Sequence, residues 1–106
     1  MKEITVEQLK QKLDSGENFT LLDVRDAHEI YISDIETEKM HIPFEELKAR
    51  TSELPEEGEI ITFCRSGNTS GDAAKLLEEA GFTNVTSLKG GINEWAEKID
   101  PTLPVY

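Results

Sequence analysis

The chain carries one cysteine, Cys64, in 106 residues. A single thiol cannot close an intramolecular disulfide, and nothing in the composition calls for an oxidising compartment. Positive charge is also scarce: 11 Lys and Arg stand against 22 Asp and Glu, a formal net charge of −11. With no basic stripe to neutralise phosphates, direct nucleic-acid binding is disfavoured. Long apolar runs are missing too. No uninterrupted stretch approaches the ~20 residues of a membrane helix, and the opening MKEITVEQLKQKLDSGE is charged throughout, unlike a signal peptide. The expectation is a soluble, cytoplasmic chain with no membrane partner. Only two histidines occur, His28 and His41, and neither has partners at ligand spacing, so no metal site is expected. No repeat, linker or low-complexity tract interrupts the chain, which reads as one domain over residues 1–106 with room for a modest core.

Strand-like and helix-like segments alternate. Thr5-Val6-Glu7-Gln8 has the form of a capping box. It opens a helix carrying Val6, Leu9 and Leu13 and ending at Ser15-Gly16. Residues 19–24 read as a strand, 26–32 as a short helix, and Met40-His41-Ile42 as a short strand running into Pro43. Pro43 with Phe44, Leu47 and Ala49 suggests another helix, closed by the loop 55–58. Residues 59–63 and 85–88 are further strands. Ala73, Ala74, Leu76, Leu77 and Ala80 recur at helical spacing from Asp72 to a stop at Gly81, with Thr69 or Ser70 as the cap. After Lys89-Gly90-Gly91, Ile92, Trp95 and Ile99 mark a last helix, with Trp95 in the core. Such alternation predicts a parallel sheet covered by helices on both faces.

Cys64 falls at the carboxyl end of the strand 59–63, at the head of a small polar loop that feeds a helix. An isolated cysteine is most often a small buried hydrophobe. Its place here favours chemistry instead. The first turn of a helix leaves N–H groups unpaired and favours negative charge, and a glycine-containing loop can turn more of them toward one point as an anion nest. Thiolate, the reactive form of cysteine, is what such a nest stabilises, and Arg65 adds a positive charge beside it. Ligands of open α/β sheets bind outside the carboxyl ends of strands. Two such ends here bear reactive residues: Asp23-Val24-Arg25 and Cys64-Arg65.

At these positions the chain resembles the rhodanese-like single-domain sulfurtransferases. The matching pieces are Leu22-Asp23-Val24-Arg25, His41-Ile42-Pro43-Phe44, the loop Cys64-Arg65-Ser66-Gly67-Asn68-Thr69-Ser70, and Leu88-Lys89-Gly90-Gly91-Ile92 with Trp95. They stand in family order and spacing, and Leu103-Pro104-Val105 fits the family's close. The resemblance implies a five-stranded parallel sheet of order 1-5-4-2-3 flanked by helices. It implies an enzyme that moves a sulfane sulfur from a donor, thiosulfate or a persulfide, to a thiol or cyanide acceptor through a persulfide on Cys64. The N–H groups of residues 65 to 70 would hold the anionic sulfur. No cofactor is called for, and a cysteine desulfurase or another protein sulfur carrier is an implied partner.

Asp23 is expected to pair with Arg65 and order the loop, while Arg25 divides between donor recognition and a structural salt bridge. Three positions depart from the family pattern: Thr69, where many members have Arg; Ser33-Asp34-Ile35, where the family has a histidine that supports the Asp of the D-x-R motif; and Glu29, where two-domain members have a donor-binding Arg. Efficient use of thiosulfate is what these departures weaken most. Two rival readings stand beside the enzyme. One is a persulfide relay or binding module that docks on a dedicated partner with little small-molecule turnover. The other is a Cys-x5-Arg phosphatase, which needs an arginine where this chain has Ser70.

Overall fold

A computed structural model describes residues 2–106. The capping box forms as the sequence indicates: Gln8 donates its backbone N–H to Thr5 Oγ1 at 3.1 Å, and the Gln8 side chain accepts from the Thr5 N–H at 2.8 Å. It opens α1 (Val6–Asp14), which follows a three-residue strand, β1 (Lys2–Ile4). The chain then forms β2 (Thr20–Asp23), a 3₁₀ turn at Ala27–Tyr31, β3 (Met40–His41), a single turn α2 (Phe44–Leu47) and another 3₁₀ turn at Thr51–Glu53. Next come β4 (Ile60–Phe63), α3 (Asn68–Glu79), β5 (Val85–Leu88) and α4 (Gly91–Lys98).

All strand pairs are parallel, in the order β1-β5-β4-β2-β3. This is the expected topology. Two apolar layers cover the sheet. On one face Leu22, Ile60 and Val85 pack against Leu47, Ala73, Ala74 and Leu77, the buried stripes of α2 and α3. On the other, Leu21, Ile61, Phe63 and Leu88 pack against Val6, Leu9, Ile92 and Trp95 from α1 and α4. The period-2 split of Leu21 from Leu22 and Ile60 from Ile61 is the signature of strands buried on both sides.

The helix after the cysteine begins earlier than the apolar pattern indicates. It starts at Asn68, with Gly67 as the residue before it at φ 109° and no side-chain cap, so neither Thr69 nor Ser70 is the cap. Periodicity located only the part that packs on the core. The first turn, Asn68-Thr69-Ser70-Gly71, is polar because its surroundings are the loop and the pocket. The helix after Pro43 is shorter than expected, and Ala49 lies beyond it. β4 is the middle strand of the five, so Cys64 emerges at the centre of the carboxyl edge.

Candidate active site

The end of β4 turns abruptly after Phe63, and Cys64 lies beneath the first turn of α3, only 4 % exposed. Its Sγ accepts the backbone N–H of Gly67 at 3.1 Å and that of Ser70 at 3.3 Å. The Ser70 hydroxyl stands 3.4 Å from Sγ. Ser70 Oγ also donates to the Gly67 carbonyl at 3.2 Å and meets the Ser87 hydroxyl at 2.9 Å. A serine hydroxyl has one proton to give. With Cys64 protonated, its S–H donates to Ser70 Oγ, and that oxygen donates onward to Gly67. Once the thiol loses its proton, the same hydroxyl can turn and donate to sulfur. The cradle therefore fits a thiol and an anionic sulfur alike. Ser87, fully buried on β5, escaped the sequence reading because a serine inside a strand carries no site pattern.

Two glycines let the backbone come this close. Gly67 takes a left-handed φ that turns its N–H onto sulfur. Gly91, at φ 61°, lies so close beneath the loop that a Cβ there would stand 2.5 Å from the carbonyl oxygens of both Cys64 and Arg65. Those carbonyls are taken up by the start of α4: Ile92 N–H donates to Cys64 at 2.9 Å and Asn93 N–H to Arg65 at 3.0 Å. The Gly90-Gly91 turn thus supports the active loop from behind.

The neighbouring strand end is built differently. Asp23 pairs with Arg25, not with Arg65. The Arg25 guanidinium grips the carboxylate through Nε at 3.0 Å and Nη2 at 2.8 Å, and the Arg25 N–H adds a third bond to Oδ1 at 3.0 Å. Both side chains are buried. Two residues apart and folded over Val24, they meet locally, whereas Arg65 points outward and lies over the Tyr106 ring, 5.2 Å from its centroid. Burial by itself would push the Arg25 pKa down, but the Asp23 and Tyr106 hydrogen bonds outweigh it and hold it above the usual value. Arg25 Nη1 also donates to the Ser33 carbonyl at 2.7 Å and to Tyr106 Oη at 3.0 Å. Of the two roles weighed for Arg25, the structural salt bridge is the one its bonds fill.

Two of the residues that depart from the family pattern, Asp34 and Glu29, find partners here. Asp34 Oδ1 lies 2.8 Å from Lys39 Nζ and 3.7 Å from Arg25 Nη2. His41 Nε2 meets the Arg25 carbonyl at 2.8 Å. Asp23 is thus held by Arg25, and Arg25 by the surrounding segment. Glu29 accepts from the Tyr106 hydroxyl at 2.9 Å and from the Asp26 N–H at 2.9 Å. Burial, reinforced by that carboxylate, pushes the Tyr106 hydroxyl's pKa up, so it stays a donor.

Above the sulfur opens a pocket of about 380 Å³. Val24 and Phe44 form an apolar wall, and Ser66, Asn68 and Thr69 a polar one. Around them stand the charges of Arg65, Asp26, Glu29 and Glu45. Seven of the expected site residues, Arg25 and Cys64 with Arg65, Ser66, Asn68, Thr69 and, through its bonds to sulfur, Ser70, meet at this one place. Gly67 joins them through its N–H, and Asp23 lies behind, holding Arg25. Among the described residues, no group of three or more His, Cys, Asp or Glu is placed to hold a metal ion, and no helix is long and apolar enough to cross a membrane.

Comparison with known proteins agrees with this geometry. A family model described as a rhodanese-like domain matches residues 5–98. The chain is 40 % identical over 110 residues to the adenylyltransferase and sulfurtransferase MOCS3-2 of Zea mays, covering 97 % of this chain but 23 % of that protein. To the putative sulfur carrier protein YrkF of Bacillus subtilis it is 38 % identical, over 92 % of this chain and 52 % of the relative. It therefore spans between about a quarter and a half of these relatives. A protein named sulfurtransferase from Allochromatium vinosum is 34 % identical, with 91 % of this chain and 89 % of the relative aligned. The crystal structure of a rhodanese-related protein from Thermoplasma volcanium superposes with a TM-score of 0.83 at 27 % identity, over 100 % of this chain and 98 % of that one. With its strand order, its cysteine at the end of the central strand and these relatives, the chain belongs to the rhodanese-like domain family of sulfurtransferases and sulfur carriers.

Proposed function

We propose that this protein transfers a sulfane sulfur through a persulfide on Cys64. The observation that carries the reading is the convergence of two backbone N–H groups and a hydroxyl on one sulfur at the floor of an open pocket. In the first half-reaction the Cys64 thiolate attacks the outer sulfur of thiosulfate or of a persulfide. A new S–S bond forms, the donor's own S–S bond breaks, and sulfite or a thiolate leaves with the electron pair. In the second, cyanide or a thiolate attacks the terminal sulfur of the Cys64 persulfide. The Cys64–sulfur bond breaks and its electron pair returns to Cys64. Oxidation states balance within each exchange, so no external redox partner is required. The N–H groups of Gly67 and Ser70 and the Ser70 hydroxyl stabilise whichever sulfur carries the charge. Arg65, Ser66, Asn68 and Thr69 shape the entrance, and Asp23 with Arg25 fixes the adjoining strand end.

Two substrates that share one site at different times give ping-pong kinetics. Initial rates with thiosulfate varied against fixed cyanide concentrations should trace parallel lines in reciprocal plots. Lines that converge would contradict a covalent sulfur intermediate. The physiological donor or acceptor is, on this reading, a protein sulfur carrier or a cysteine desulfurase. The sulfur-carrier name of the Bacillus subtilis relative supports it.

A further inference from the structure

Tyr106 lies against residues that line the pocket, and none of the roles given above to site residues explains its contacts. Tyr106 is fixed at three points. Its backbone N–H donates to Asn93 Oδ1 at 3.0 Å, on the helix whose first turn supports the active loop. Its hydroxyl accepts from Arg25 at 3.0 Å and donates to Glu29 at 2.9 Å. Its ring carries the Arg65 guanidinium at 5.2 Å, within the range of a cation–π contact. These contacts join both strand ends through one side chain. They also sort the charges at the entrance. Arg25 is neutralised by Asp23, and Glu29 is drawn into bonds with Tyr106 and the Asp26 N–H. Among the described residues, Arg65 forms a ring contact and no ion pair, so it is the one cation lining the pocket without a carboxylate of its own.

We propose that Tyr106 is a positioning residue of the Cys64 pocket: its ring holds the Arg65 guanidinium at the entrance and its hydroxyl holds Glu29 back, so that donors with an anionic head meet a fixed positive charge. This rests on the sulfurtransferase reading for its biological meaning, but the geometry is testable without turnover. An exposed guanidinium on a long, flexible stem spreads its charge over many rotamers. Stacking confines it to one. Removing the ring releases Arg65 into solvent, where its field at the sulfur is screened, and frees Glu29 to swing toward the entrance.

The probe is the alkylation of Cys64 by iodoacetate, an anion, relative to iodoacetamide, its neutral counterpart, at low ionic strength. The ratio of the two rates cancels changes in the reactivity of the thiol and reports the charge an approaching anion meets. Tyr106→Ala should lower the ratio about two- to fivefold, the range corresponding to an exposed cation–π contact. Arg65→Ala should lower it similarly, and the double variant by less than the two losses combined. Tyr106→Phe, which keeps the ring, should retain most of the wild-type ratio, a rescue that a purely structural role for the hydroxyl would not give. In kinetics, Tyr106→Ala should raise the KM for thiosulfate, a dianion, more than the KM for a singly charged thiolate acceptor. A ratio unchanged in Tyr106→Ala, or equal losses in the Phe and Ala variants, would overturn the proposal. If the ratio responds as described while no sulfur is transferred from any donor, the sulfurtransferase reading fails and the placement of Arg65 by Tyr106 stands.

Discussion

Two adjacent strand ends build this site by opposite means. At the end of β2, charge is held by side chains: Asp23 and Arg25 are buried and bonded to each other. At the end of β4, charge is awaited by backbone: Gly67 and Ser70 point N–H groups at Cys64 while the side chain of Arg65 lies outside. A buried ion pair satisfies itself and is rigid, so it serves as a frame. A cradle of N–H groups has capacity for an anion that changes, from thiolate to persulfide and back, without any side chain having to move far. The difference explains why removing residues from the two ends should have different consequences.

The largest effect on stability is expected at β2. Asp23→Ala leaves a buried guanidinium without its partner, a change that costs about 3–5 kcal/mol. Urea unfolding would measure it. Asp23→Ala/Arg25→Ala should cost clearly less than the two single losses added, because the second substitution removes a charge already stranded. Additive losses would mean that the pair does not act as a unit.

A smaller loss of stability is expected behind β4. Gly91→Ala brings a methyl against the carbonyls of Cys64 and Arg65 and should cost of order 1–3 kcal/mol through backbone strain. Its effect on sulfur transfer should be larger than its effect on folding, because what shifts is the loop itself. A Gly91→Ala protein with full activity would show that the loop tolerates displacement and that the close approach is incidental.

The smallest is expected at the entrance. Arg65→Ala should change stability by no more than about 1 kcal/mol, the range of an exposed cation–π contact made by a side chain with no ion pair. It should still raise the KM for anionic donors. If Arg65→Ala unfolds as readily as Asp23→Ala, the frame and the entrance are not distinct, and the pairing of Asp23 with Arg25 alone is wrong.

The contrast also accounts for what could be read from the sequence. Strands buried on both faces and amphipathic helices announce themselves through apolar spacing, and Leu21, Leu22, Ile60, Ile61, Ala73, Ala74 and Leu77 all lie where that spacing puts them. β1 does not: its three residues, Lys-Glu-Ile, are an exposed edge with no alternation to detect, and only the family resemblance implied a fifth strand. The site was legible as far as its backbone logic went, because a cysteine between a strand and a helix, followed by glycine, constrains where N–H groups point. Side-chain partners were less legible. Asp23 had two arginines within reach of the same sheet edge, and the choice depends on the turn at Val24, which no pattern of residue types encodes. Tyr106 carried no signal at all. It is an aromatic at the end of an irregular segment, and its importance arises from a fold that returns it to Arg65 and Glu29.

The central claim is that Cys64 is cradled to hold a transferable sulfur, and intact-mass measurement tests it most directly. After incubation with thiosulfate, or with a cysteine desulfurase and cysteine, the protein should gain the mass of one sulfur atom. Cyanide or a reductant should remove it, and Cys64→Ser should never acquire it. A wild-type protein whose mass is unchanged by every sulfane donor, or a Cys64→Ser protein that still gains sulfur, would contradict the account.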